Sequence, residues 1–338
     1  YPGDSSKYDW QGMVPFEELP FEFNPPRGYV SSANNKTVPD NYPYYISYWF
    51  ATTDRIDRIR EMLEAKPLLG TDDFAAIHGD VKSKKAEKFT PVFVAAIKTD
   101  AKLSETEKAA LAKLESWNFE LTRESQAASV FEILYRKTAE NLVGDELTPE
   151  LLKAIKGQKM LLENLLINIQ NNNNSEWIDD KNTPEKEVFS DIIIKSYKET
   201  IADLTDELGN DPEKWQWGKL HTFTISHPLG TVKTLDRAFH LNRGPFEMKG
   251  SFHTVGPYSY SYNNLYAVNH GASHRHIFDT GDCDASKTVI PTGTSGIPAS
   301  PFYLDQTEMY LNNHYHADPF SKGEVEKAAK FRMKVVPK

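Results

Sequence analysis

The order of the local sequence patterns constrains the fold of this 338-residue chain more than any other feature. Seven prolines within residues 1–43 break any helix there. Residues 44–215 then carry apolar residues at helical spacing, and short β-branched segments separated by Gly, Pro and Asp follow Trp215. We therefore predict an α+β fold in which residues 1–43 and 216–338 form the sheets and residues 44–215 form a mainly helical insertion.

Capping residues predict where several of the helices begin and end. Ser104 followed by Glu107 matches a capping box, and Thr148 stands directly before Pro149, which suits the first turn of a helix. Gly209 is the residue type that commonly ends a helix. The same reasoning predicts helices with N-caps at Thr71 and Thr183, a helix that starts near Ser300, and a final strand over residues 329–338.

Charge and composition exclude several classes of protein. The chain has 39 basic and 48 acidic residues and a formal net charge of −9, so we expect no nucleic-acid partner. No apolar run is long enough to span a membrane. Cys283 is the single cysteine, which excludes a disulfide within the chain and a multi-cysteine metal site.

Two adjacent asparagines, Asn34 and Asn35, follow a β-rich run at residues 29–32, which we predict to be a strand. One interpretation of the pair is a turn, because asparagine favours turns. The other is an active-site amide held at the tip of a strand. Arg55 lies on the next predicted helix and could reach back to the pair, although an arginine on a helix most often faces solvent.

Two further candidate sites, a histidine pair and a serine, give weaker indications of function. His274 and His276 would present both rings on one face of a strand, but two ligands do not complete a metal site. Ser295 lies in a segment without the G-x-S-x-G pattern of a nucleophile elbow, and a turn rich in Gly and Pro explains it better. The residue patterns by themselves therefore name no reaction.

Several longer segments carry a resemblance to a known family. They are KYDWQGMVPFEELPFEFNPPRGYVSSANN, FATTDRIDRIREML, GSFHTVGPYSYSY and VIPTGTSGIPASPFYLDQTEMYLNNHYH. The patterns W-x-G-x-x-P-F-E, N-P-x-x-G-Y and S-G-x-x-x-S-P-x-Y-x-D-Q are specific when they occur together. The chain resembles the later part of the β subunit of the penicillin acylase family, and the resemblance is weakest in the central helices.

The resemblance implies a fold and a reaction. The fold is part of the four-layer αββα sandwich of N-terminal-nucleophile hydrolases. Family members are precursors that cut themselves into an α and a β chain, and the new N-terminal serine attacks an amide carbonyl with its own α-amino group as base. Since residue 1 here is Tyr1, we expect the nucleophile to lie outside this chain.

The resemblance also implies two site residues. Asn34 matches the asparagine whose side-chain amide donates to the oxyanion, and Arg55 matches the arginine that orients this asparagine. Asn35 is a weaker candidate for the same role as Asn34. A neutral NH2 group suits the role, because it can donate a hydrogen bond without placing a charge beside the base.

The resemblance further implies partners and a location. The partners are the α chain and the N-terminal part of the β chain of the same precursor, together with a small-molecule amide substrate, either a β-lactam antibiotic or an N-acyl homoserine lactone. We expect a structural calcium ion with ligands mostly outside this chain, and a periplasmic or secreted location. The alternative function is a non-catalytic relative or fragment that acts as a binding or scaffold module.

Overall fold

The computed structural model describes residues 2–172 and 175–337, and Tyr1 and Lys338 lie outside these ranges. Short 3₁₀ turns at Ser6–Tyr8 and Phe16–Glu18 precede the first α-helix. The α-helices are α1 (Asp54–Glu64), α2 (Thr71–Gly79), α3 (Lys84–Ile97), α4 (Glu105–Glu115), α5 (Gln126–Asn141), α6 (Pro149–Gly157), α7 (Lys159–Asn171), α8 (Phe189–Leu208), α9 (Trp217–Leu220), α10 (Lys233–Phe239), α11 (Thr307–Leu311) and α12 (Lys322–Ala328).

The strands lie in the C-terminal part of the described chain and form three small sheets. They are β1 (Thr222–Ile225), β2 (Arg243–Glu247), β3 (Tyr258–Ser259), β4 (Ala267–Val268), β5 (His270–Gly271), β6 (Arg275–Ile277), β7 (Lys287–Val289) and β8 (His316–Ala317). Strand β1 pairs antiparallel with β2 and parallel with β4, β3 pairs with β5, and β6, β7 and β8 form an antiparallel sheet. The α+β fold class is therefore confirmed.

Helix α5 lies at the centre of the helical region. Twelve of its sixteen residues are buried, which requires neighbours on nearly every side. Helices α4, α7 and α8 pack against it, and α3 contributes Phe89 and Phe93. The Phe89 ring lies 5.1 Å from that of Tyr135 in an edge-to-face arrangement, and the Phe93 ring lies 6.1 Å from that of Phe131. A smaller apolar core joins the sheets through residues such as Met248, Tyr258 and Val289.

Three predicted helix ends are confirmed by their hydrogen bonds. The Ser104 hydroxyl accepts from the Glu107 amide at 3.3 Å, and the Glu107 carboxylate accepts from the Ser104 amide at 2.6 Å. Thr148 caps α6, which begins at Pro149. Gly209 ends α8 with φ of 86°, a conformation that glycine adopts without the steric cost of a Cβ atom.

The predicted N-cap at Thr183 is wrong. Its hydroxyl donates to the Glu187 carboxylate, with the Asp180 and Glu185 carbonyl oxygens 3.1 and 3.2 Å away, so it stabilises a turn instead of accepting from a helical amide. Helix α8 begins later, at Phe189, where the Asp191 carboxylate accepts from the Val188 amide at 3.0 Å. Thr71 is likewise the first residue of its helix, and Gly70 is the N-cap.

The helix predicted near Ser300 begins only at Thr307. The intervening carbonyls are already used, because Phe302 and Tyr303 accept from the backbone amides of Ser295 and Gly293 at 3.0 and 2.9 Å. These bonds across the loop take the place of the i+4 bonds that the same carbonyls would accept in a regular helix. The segment therefore remains a series of turns.

Neither of the predicted terminal strands forms within the described residues. Residues 29–32 and 329–337 lie outside regular secondary structure, and no other described segment pairs with them. A strand needs a neighbour for its backbone amides and carbonyls, so a β-rich composition is not sufficient to form one. The division into sheet-forming residues 1–43 and 216–338 and a helical insertion at 44–215 stays a prediction.

A stretch of the described chain exposes large apolar side chains. Trp10 is 93% exposed and Phe21 is 86% exposed, and Met13, Phe16 and Phe23 are also exposed. Large apolar side chains exposed within one short stretch are typical of a segment that contacts other protein. No helix within the described ranges has the length and apolar character to cross a membrane.

We predict that His221 makes the fold sensitive to acid. The ring is fully buried against Trp217, and its Nδ1 atom lies 2.8 Å from the Tyr266 carbonyl oxygen. Burial lowers the pKa of His221 to about 4, although backbone hydrogen bonds raise it in part. The unfolded chain, with a histidine pKa of about 6.5, therefore binds more protons between these values, and stability falls as pH falls from about 6.5 to 4.

The expected loss attributable to His221 is up to about 3 kcal/mol, measured by urea unfolding across this pH range. His221→Asn keeps a donor near the Nδ1 position and should flatten the dependence. The exposed His270 supplies the matched control, because His270→Asn should leave the dependence unchanged. Equal slopes for the wild type and His221→Asn would show that His221 does not carry the effect.

Candidate active site

Asn34 lies in a loop that is attached directly to the segment before α1. Its backbone has a positive φ of 63°, which asparagine tolerates better than most residues. Its carbonyl accepts from the Ala51 amide at 2.8 Å, and Ala33 and Ala51 are both buried. This attachment places the Asn34 side chain beside the first turn of α1, where Arg55 lies.

Arg55 holds the oxygen end of the Asn34 side chain. Its Nη2 atom donates to Asn34 Oδ1 at 2.8 Å and to the Ala33 carbonyl oxygen at 2.8 Å. Since an arginine can only donate, the amide oxygen must face it and the NH2 group must point away. Within residues 2–172 and 175–337 that NH2 group donates to no protein atom, and Asn34 is exposed.

Asn35 uses its side chain differently. Its Oδ1 atom accepts from the Ala33 amide at 3.0 Å, its Nδ2 atom donates to the Lys36 carbonyl at 2.9 Å, and the residue is buried. Both ends of this amide are therefore bonded to the backbone of the loop. Of the two asparagines, Asn34 has the outward NH2 group and Asn35 holds the loop in shape.

Two neighbours set the environment of Arg55. Its guanidinium carbon lies 5.5 Å from the centroid of the Phe252 ring, which is a cation–π distance. Burial lowers the pKa of Arg55, and the adjacent Asp54 carboxylate raises it in part. Arg55 is thus held between the loop of Asn34 and the ring of Phe252.

Asp54 is buried immediately before Arg55. Its Oδ2 atom accepts from the Thr52 hydroxyl at 2.6 Å and lies 3.5 Å from the Lys85 ammonium. Burial alone would raise the pKa of Asp54, but the charges of Lys85 and His253 outweigh the burial and hold it below its usual value. The first turn of α1 therefore carries a buried, ionised carboxylate next to the arginine.

Phe252, Asp54 and Lys85 were not predicted as site residues from the sequence. Lys85 lies in the charged segment KSKKAEKF, which is typical of a solvent-exposed helix, yet only 1% of it is exposed. Phe252 lies in one of the segments that carry the family resemblance, but its spacing from Arg55 gives no signal of a contact. No sequence pattern pointed to these three side chains.

Among the described residues, the other candidate side chains do not complete a catalytic set. These candidates are His274, His276 and Ser295. The rings of His274 and His276 stack at 5.4 Å on β6 and its approach, and His276 Nε2 lies 3.1 Å from Asp318 Oδ2. Ser295 lies between β7 and α11, where its hydroxyl accepts from the Ile297 amide at 3.2 Å. These contacts account for the side chains as parts of a sheet face and a turn.

The described residues do not form a metal site of the usual ligand types. Over residues 2–172 and 175–337, no three or more His, Cys, Asp or Glu side chains are arranged to hold a metal ion. The structural calcium ion, with ligands mostly outside this chain, stays a prediction from the family resemblance.

The fold and the sequence define the class of this protein. The structure is similar to that of the thermostable penicillin G acylase from Alcaligenes faecalis, with a TM-score of 0.59 and 16% identity over 98% of this chain and 60% of that chain. The chain therefore shares its fold with that acylase. A family model described as penicillin amidase matches residues 1–327, and the chain belongs to this family.

Curated relatives carry two kinds of name. The acyl-homoserine lactone acylase QuiP of Pseudomonas syringae pv. syringae is 26% identical over 355 residues, which cover 99% of this chain and 42% of that protein. The penicillin acylase 2 proenzyme of Pseudomonas sp. is 26% identical over 317 residues, which cover 90% of this chain and 38% of that protein. The chain thus spans well under half the length of these relatives.

We predict that the two asparagines differ in their contribution to stability. Asn35→Ala leaves the buried Ala33 amide without its acceptor and should cost about 1–3 kcal/mol in the free energy of unfolding. Asn34→Gly should cost less, because glycine adopts a positive φ readily and Arg55, which loses Asn34 Oδ1, keeps the Ala33 carbonyl as an acceptor. Denaturant unfolding of the two variants measures the difference, and a larger loss in Asn34→Gly would oppose this assignment.

Proposed function

We propose that this chain is part of an amidohydrolase that cleaves the acyl amide bond of β-lactam antibiotics or N-acyl homoserine lactones. Asn34 donates to the oxyanion in this proposal, and Arg55 orients it. The observation that carries the proposal is the 2.8 Å bond from Arg55 Nη2 to Asn34 Oδ1, which leaves the Asn34 NH2 group exposed and free to donate. The names of the relatives support the choice of substrates.

The geometry suits the stabilisation of a developing negative charge. Attack on an amide carbonyl turns its oxygen into an oxyanion, which needs donors that are already in position. The positive charge of Arg55 on the amide oxygen polarises the Asn34 amide and makes its N–H groups better donors. Because Arg55 bonds the side chain and the Ala33 carbonyl together, little reorganisation is needed during the reaction.

The identity of the nucleophile in this proposal comes from the family resemblance. An N-terminal serine outside this chain would attack the carbonyl, with its own α-amino group taking the hydroxyl proton. The amine would then leave with a proton, and water would release the acyl group from the serine. In this scheme the present chain supplies the donor to the oxyanion and not the nucleophile.

We further propose that other parts of the same precursor cover the exposed apolar stretch. The partners would be the α chain and the N-terminal part of the β chain, in a heterodimer formed from a zymogen. The exposure of Trp10, Met13 and Phe21 supports this, because burying such rings and side chains on assembly is favourable. A periplasmic or secreted location is proposed from the resemblance alone.

We predict that removing the Asn34 amide lowers kcat by about 10²–10³, with KM nearly unchanged, because the donor acts mainly in the transition state. The variants are Asn34→Ala and Asn34→Gly in the protein expressed from its complete gene. Rates are measured with an N-acyl homoserine lactone and with penicillin G. Asn34→Gly matters because it avoids strain at the positive φ.

Asn24→Gly is the matched control, since Asn24 is also exposed and has a positive φ of 47°. Its kcat should equal that of the wild type. If Asn34→Gly also keeps the wild-type kcat, Asn34 is not a donor to the oxyanion. If the wild-type protein hydrolyses neither substrate class nor related acyl amides, the alternative of a non-catalytic binding or scaffold module is favoured.

A further inference from the structure

A cluster of buried charges lies directly behind Arg55. Lys85 Nζ lies 3.1 Å from Glu163 Oε2 and 3.5 Å from Asp54 Oδ2, and His253 Nε2 lies 3.2 Å from Glu163 Oε1. Lys85 is 1% exposed and Glu163 is completely buried. We call Asp54, Lys85, Glu163 and His253 the buried ion cluster.

The buried ion cluster connects four separate parts of the chain. Asp54 belongs to α1, Lys85 to α3 and Glu163 to α7, while His253 lies between β2 and β3. Burial alone would raise the pKa of Glu163, but the charges of His253 and Lys85 outweigh the burial and hold it well below its usual value. The carboxylate of Glu163 is therefore ionised and depends on Lys85 and His253 as its neighbours.

The cluster adjoins Arg55 from two directions. Asp54 precedes Arg55 in the chain, so the bond between Asp54 and Lys85 holds the first turn of α1 against α3. His253 follows Phe252, whose ring lies against the Arg55 guanidinium. Asp54 and Phe252 are therefore both linked to the cluster, Asp54 by its ion pair with Lys85 and Phe252 by the adjacent residue His253.

Stability alone does not account for such a cluster. Replacing a buried ion pair by well-packed apolar residues is often neutral or stabilising, because the desolvation of the two charges offsets much of their attraction. An ion pair does, however, require one arrangement of its partners, whereas apolar contacts tolerate small shifts. A positional role explains why charges are buried next to a residue whose placement matters.

We propose that Lys85 is a positioning residue that fixes Arg55, and through it the Asn34 amide, by binding Asp54 and Glu163 together. The inference rests on the proposed function for its kinetic consequence. A displacement of about 1 Å at a reacting group can lower a rate by about 10²-fold, so a looser first turn of α1 should be visible in kcat. Lys85 itself does not contact the proposed site.

The first test is Lys85→Met in the protein expressed from its complete gene. We expect kcat to fall by about tenfold or more with KM changed less than about twofold. The reason is that substrate binding and the hydrogen bond from Asn34 to the oxyanion are separable. Arg136→Met is the matched control, because Arg136 is 3% exposed and pairs with Glu140 at 2.9 Å within the same helical core. The control should unfold more easily yet keep its kcat per folded molecule.

The second test is a double-mutant cycle. If Lys85 acts through Arg55, adding Lys85→Met to Arg55→Met should change kcat little further. A structural effect that lowers the amount of active protein would instead reduce kcat equally in both backgrounds, and that additive outcome overturns the inference. Should Lys85→Met fail to fold, Lys85→Met with Glu163→Gln removes the unpaired charge of Glu163 and takes its place in the cycle.

A crystal structure of the Lys85→Met variant separates this inference from the proposed function. We expect Arg55 Nη2 to move beyond hydrogen-bond distance of Asn34 Oδ1, and an unchanged distance overturns the positional role whatever the kinetics show. A loss of kcat in Asn34→Gly with a normal kcat in Lys85→Met overturns the role of Lys85 alone. An unchanged kcat in Asn34→Gly overturns the role of Asn34, and the distance then decides the role of Lys85.

Discussion

The packing of α3 between α1 and the helical core is the interaction on which the rest of the candidate site depends. Helix α3 contacts α1 on one side and α8 on another, and its Phe89 and Phe93 rings pack on α5. The burial of these apolar side chains stabilises the packing of the helices. Lys85 lies at the start of the same helix, so the core determines where its ammonium group is placed.

From that anchor, a series of short contacts leads to the surface. Lys85 binds Asp54, Asp54 precedes Arg55, and Arg55 bonds the amide oxygen of Asn34. Each contact fixes the orientation of the next group, because donors and acceptors have directional requirements. Buried side chains thus hold the exposed NH2 group of Asn34 in place. This arrangement is suited to positioning a donor before a reaction begins.

Membership of the penicillin amidase family and the contacts of the candidate site rest on different observations. The family is shown by the match over residues 1–327, whereas the contacts of Asn34 and Arg55 are read from the structure. The exposure of Trp10 and Phe21 supports the proposed assembly with other parts of the precursor.

The sequence by itself determined the α+β class, the capping of α4 and α6, the end of α8 at Gly209, and the pairing of Asn34 with Arg55 through a family resemblance. These features depend on local patterns or on shared motifs. Only the tertiary structure decided that Lys85 is buried, that Phe252 lies against Arg55, and that residues 29–32 form no strand within the described chain. The physical reason is that burial, ring contacts and strand pairing depend on which distant segments meet, and local residue order does not specify those meetings.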